Sequence, residues 1–110
     1  EISAKGMGIG RKSYTGTARI VKSPEHDSFN KGDILVASST DAEFIPLIAI
    51  AGALVVQEAG LTSHAAIVAI EYGIPAIIGL PDIDAKISEG QTITIDAFAG
   101  VVYAGPVNIT

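Results

Sequence analysis

The chain has 110 residues, of which 48% are hydrophobic and 17% charged, with a formal net charge of −5 and no cysteine. A chain of that length and composition folds as one domain with a real core and is not disordered. Seven basic residues form no long run against twelve acidic ones, which argues against a nucleic-acid backbone or an anionic membrane as partner. The lack of cysteine excludes disulfides, thiolate catalysis and zinc–thiolate sites, and fits a cytoplasmic setting.

Residues 1–12 carry Gly6, Gly8 and Gly10 ahead of Arg11 and Lys12. "GMGIGRKS" lacks the spacing of a nucleotide-binding glycine loop, so the segment is expected to be a linker leading into the domain. No secretory signal pattern is read there, and an opening at Glu1 without methionine suits a domain taken from a longer chain. Thr15 to Ser23 alternates as a strand does. Ser23 to Asp33 is rich in turn residues and reads as a surface loop, with His26 as a solvated residue within it. Asp33 to Ser38 reads as a buried strand. Thr40 with Glu43 three residues on has the form of a capping box. A short turn at 41–43 and a helix over 45–51, closed by Gly52, are expected next.

Ala53 to Glu58 reads as a second buried strand. A helix is predicted from Ser63 to Tyr72, with Gly73 as its C-terminal cap and Pro75 barring continuation. Pro75 to Gly79 is a short strand, and Leu80 to Ser88 a turn or a single helical turn. Glu89 to Gly105 reads as a β-hairpin turning at 97–100. The longest apolar stretch, Phe44 to Val56, falls short of the ~20 residues of a spanning helix and is broken by Pro46 and Gly52. The order implies an α/β (α+β) domain, with the middle helices covering one face of the sheet. Asp41, Glu43, Asp82, Asp84 and Asp96 show no metal-ligand spacing, so no metal is expected.

The richest stretch is "GLTSHAAIVAIEYGIPAIIG", Gly60 to Gly79. Thr62 or Ser63 is placed to cap the helix, which puts His64 in its first turn. Backbone N–H groups there have no intrahelical partner and carry partial positive charge, so they welcome an anion. Gly60 permits a sharp turn, and the hydroxyls of Thr62 and Ser63 can donate to phosphate oxygens. An imidazole titrates near neutrality and is a competent nucleophile. A phosphohistidine fits this chemistry. So does a histidine that only caps or sits half-exposed, and so does a plain anion-binding module needing only residues 60–64.

Gly60, Thr62, Ser63, His64, Ala69, Gly73, Pro75 and Gly79 resemble the phosphohistidine motif of the PEP-utilising enzyme family. "TDAEFIP" upstream and "GQTITIDAFAGVVYAG" downstream are similar to its flanking segments, so the resemblance covers nearly the whole chain. It implies residues 1–110 as a single mobile domain with the swivelling β/β/α fold, and His64 as a candidate tele-phosphohistidine. It also implies phosphate contacts at Gly60, Thr62 and Ser63, and Thr62 as a candidate regulatory phosphorylation site. Two positions depart from the family pattern: Ala59 replaces the first of two glycines, and Ile70 replaces an arginine.

"AKGMGIGRKSYTGTARIV", Ala4 to Val21, is similar to the start of the extra C-terminal domain of some bacterial pyruvate kinases. That resemblance implies a structural or regulatory domain in a homo-oligomeric parent, whose catalytic domains are its partners. Mg and nucleotide are then expected elsewhere in the parent, with no cofactor in this domain. The alternative is an active phosphoryl-carrier domain of a phosphoenolpyruvate synthase or pyruvate phosphate dikinase.

Overall fold

The computed structural model describes residues 2–22, 29–60 and 63–106. Eight strands form one sheet in the order β1-β8-β7-β3-β4-β5-β6-β2. They are β1 (Ile2–Lys5), β2 (Met7–Ile9), β3 (Ser13–Ile20), β4 (Ile34–Ala37), β5 (Ala53–Val56), β6 (Ala76–Ile78), β7 (Thr92–Asp96) and β8 (Val101–Ala104). Helices α1 (Ile45–Ile48), α2 (His64–Tyr72) and α3 (Ile83–Lys86) complete the fold, with a 3-10 turn at Ala42–Phe44 leading into α1. The layering is the α/β arrangement expected.

The linker expected at residues 1–12 is corrected. β1 pairs antiparallel with β8 and β2 with β6, so this segment supplies both edges of the sheet. Gly6 alone joins them, and its N–H donates to the Gly100 carbonyl at 2.8 Å. The sheet is thereby nearly closed. The glycines serve this closure: a Cβ on Gly8 would fall 1.6 Å from the Ala97 carbonyl oxygen. Only a residue without a side chain lets β2 lie against the 97–100 turn.

β3 spans both halves of the sheet. Its first part pairs antiparallel with β7, and residues 18–20 pair parallel with β4. β4, β5 and β6 continue in parallel. Alternation then splits their side chains between two cores. Ile34, Val36, Ala53, Val55 and Ile77 point into the barrel with Ile93, Ile95 and Val102. Leu35, Ala37, Leu54, Val56 and Ile78 point to the other face, where Ile48 of α1 and Ala65, Ala66 and Ala69 of α2 cover them. The small alanines let α2 lie close on the strands.

The helices begin and end largely where residue chemistry directs. Gly73 closes α2 in the left-handed region at φ 68°. Helix α1 is shorter than the expected 45–51. Pro46 lies in its first turn, where a missing N–H removes no helical bond. The capping box is corrected too: Asp41, not Thr40, caps the 3-10 turn, accepting from the Glu43 N–H at 3.0 Å.

Candidate functional site

The parallel strands deliver their carboxyl ends to one edge. Beyond Ala37 and Val56, the Gln57 N–H donates to Ala37 and the Glu58 N–H to Ser38, at 3.2 and 2.8 Å. The segments leaving β4 and β5 therefore stay side by side. One carries Ser38, Ser39 and Thr40, and the other leads through Ala59 and Gly60 to α2.

Ser63 is the cap of α2, its Oγ accepting from the Ala66 N–H at 3.3 Å. Its hydroxyl hydrogen remains available as a donor. His64 is the first residue of the helix, as the sequence indicates. Gly60 has φ 110°, a conformation that favours glycine, and its carbonyl accepts from the Ser63 N–H at 3.2 Å. Asp82 is the sole non-glycine with positive φ among the described residues, so Ala59 needs no glycine's freedom. Thr62 and His26 lie outside the described residues.

Thr40 has a different place from the one its sequence context suggested. It is buried, 7% exposed, and its Oγ1 lies 2.9 Å from His64 Nδ1. With the proton on Nδ1, that group donates to Thr40 and Nε2 carries the lone pair. His64 itself is half-buried. The imidazole is thus held at one nitrogen while the other has no hydrogen-bond partner among the described residues. The signal for Thr40 was its position just past a parallel strand next to the one that leads to His64.

Glu58 also went unnoticed in the sequence. Its Oε1 is buried without a hydrogen-bond partner among the described residues. A buried acceptor with no donor is unusual in a folded protein. On the outer side of α2, Ile67 and Ile70 are 53% and 65% exposed, and Glu71 is exposed beside them.

Residues 29–100 match the family described as "PEP-utilising enzyme, mobile domain". The chain belongs to that family. It is 42% identical over 107 residues to a pyruvate kinase of Lactobacillus delbrueckii subsp. bulgaricus, a match covering 96% of this chain and 18% of that protein. It is 38% identical over 109 residues to a phosphoenolpyruvate synthase of Aeropyrum pernix, covering 97% of this chain and 13% of that protein. The chain thus spans less than a fifth of the length of either relative, and the matching regions are parts of larger phosphotransferases. Among solved structures, Enzyme I aligns at a TM-score of 0.61 and 22% identity over 73% of this chain and 33% of its own. That likeness concerns the fold, and it agrees with the swivelling β/β/α arrangement.

Proposed function

We propose that this chain is the C-terminal mobile domain of a pyruvate kinase-type enzyme, serving there as a structural and regulatory unit. The observation that carries this reading is the outer face of α2, where Ile67 and Ile70 stand exposed with Glu71. A histidine that ferries a phosphoryl group enters a site handling a dianion, and a cation on the delivering face assists it. Two isoleucines and a carboxylate offer no such help. They suit a face covered by apolar surface of the parent enzyme. Similarity to pyruvate kinase over nearly the whole chain supports the same parent.

In that setting the phosphoryl group passes directly between PEP and ADP in the parent's catalytic domains. Those domains hold Mg and nucleotide, and residues 1–110 contain no complete active site. The parent is a cytoplasmic homo-oligomer in this reading. Removing the domain leaves PEP-to-ADP transfer largely intact. A truncated enzyme that folds yet has lost turnover overturns the proposal.

A second reading, the phosphoryl carrier of a synthase or dikinase, is favoured by the bond between Thr40 and His64. Nε2 would form the new P–N bond as the bond from phosphorus to the enol oxygen of PEP breaks and pyruvate leaves as its enolate. Gly60, Thr62 and Ser63 would serve the phosphate, and phosphorylation of Thr62 would regulate it. Normal turnover of a His64→Ala enzyme excludes this reading.

A further inference from the structure

A pocket of about 330 Å³ opens where β3 and β4 end. The volume suits a small molecule. Among the described residues its polar lining includes Lys22 after β3 and Ser38, Ser39 and Thr40 after β4. Its apolar wall is built from Val21, Phe44 and Ile83. Asp41 also lines it, but one of its carboxylate oxygens already accepts from the Glu43 N–H. Three successive hydroxyl-bearing residues offer donors for an oxyanion. The space exceeds what a bare phosphate fills, and the apolar wall accommodates a short carbon skeleton.

We propose that this pocket binds a small organic oxyanion, a phosphate or carboxylate on a short carbon chain, and that Thr40 couples its occupancy to His64. Thr40 lines the pocket and also bonds His64 Nδ1. When Nδ1–H donates to Thr40 Oγ1, the threonine's own hydrogen is left to donate to the oxyanion. A bound anion thus favours the tautomer with the proton on Nδ1 and the lone pair on Nε2. The proposal concerns a site separate from the helix mouth and holds whichever parent enzyme carries the domain.

The test is an NMR titration of the 110-residue chain with inorganic phosphate, propyl phosphate, acetate and butyrate, at constant ionic strength against chloride. Saturable shifts are expected at the amides of Ser38, Ser39 and Thr40 and at the His64 ring nitrogens. Propyl phosphate and butyrate bind more tightly than inorganic phosphate and acetate, and the better pair decides between phosphate and carboxylate. Ser38→Ala and Ser39→Ala, both at exposed positions, each weaken binding about tenfold, as loss of a charge-assisted hydrogen bond does. His64→Ala retains binding. Non-saturating shifts overturn the proposal, as do saturable shifts confined to Gly60, Ser63 and His64, or affinities unchanged in both pocket variants.

Discussion

The barrel interior and the carboxyl edge of β3, β4 and β5 are made from the same strands under opposite demands. Inside, Ile34, Val36, Val55, Ile77 and Ile93 are all but fully buried. In the barrel wall, the buried Thr94 hydroxyl is bonded to Thr15 and to the Gly105 carbonyl. A few residues further along the strands, hydroxyl-bearing residues line a pocket, and among the described residues one imidazole nitrogen and one buried carboxylate oxygen have no hydrogen-bond partner. The rigid half holds the chemically unfinished half in register. Side chains beyond the last ladder bonds need not pack, so chemistry collects there.

Substitutions should separate the two regions, with the largest effects inside. Ile77→Ala opens a cavity in the barrel interior and lowers unfolding free energy by about 3 kcal/mol, whereas Ser38→Ala stays within about 0.5 kcal/mol. Urea denaturation reads both, and equal effects would erase the contrast. Gly8→Ala forces a side chain toward the Ala97 carbonyl and costs about 1–3 kcal/mol. A neutral result there would mean that β2 does not close the sheet.

At the edge, Ser63→Ala removes the α2 cap and costs about 1 kcal/mol, visible as faster amide exchange in residues 64–67. Thr40→Val keeps the shape and costs about 1 kcal/mol. Its sharper sign is spectroscopic: the His64 Nδ1 resonance loses its hydrogen-bonded character.

The smallest effect concerns Arg19, which bridges Asp33 at 3.1 Å and Glu89 at 3.2 Å. Its hydrogen bonds to Glu89 and then Asp33 raise its pKa above the ordinary guanidinium value. A raised pKa on a basic group gives stability that is complete below the unfolded value and lost as pH rises through the folded one. Arg19→Gln therefore changes the denaturation midpoint by the same small amount across the neutral range. A strong pH dependence of that difference near neutrality would contradict the assignment.

Much of this was legible in the sequence because single residues enforce it. Gly73 and Pro75 stop α2, Ser63 starts it, and unbroken apolar runs mark β4 and β5 as buried on both faces. The first twelve residues were not legible as strands. Their glycines signal flexibility when read alone, and only the approach of the 97–100 turn shows that they permit contact. Thr40 was misread for a related reason. A threonine three residues before a glutamate has the form of a cap, and its real partner lies 24 residues away across two adjacent strand ends. Glu58 and the Ser38 to Thr40 pocket depend on the same non-local pairing, which local spacing does not encode.

The most direct test of the proposed role is whether His64 ever carries phosphate. The parent enzyme is incubated with PEP and examined by mass spectrometry and phosphorus NMR at neutral to alkaline pH, beside His64→Ala. A structural and regulatory domain predicts no acid-labile phosphate on His64. A phosphorylated Nε2 in the unaltered enzyme that is absent from the variant would contradict it and establish the carrier.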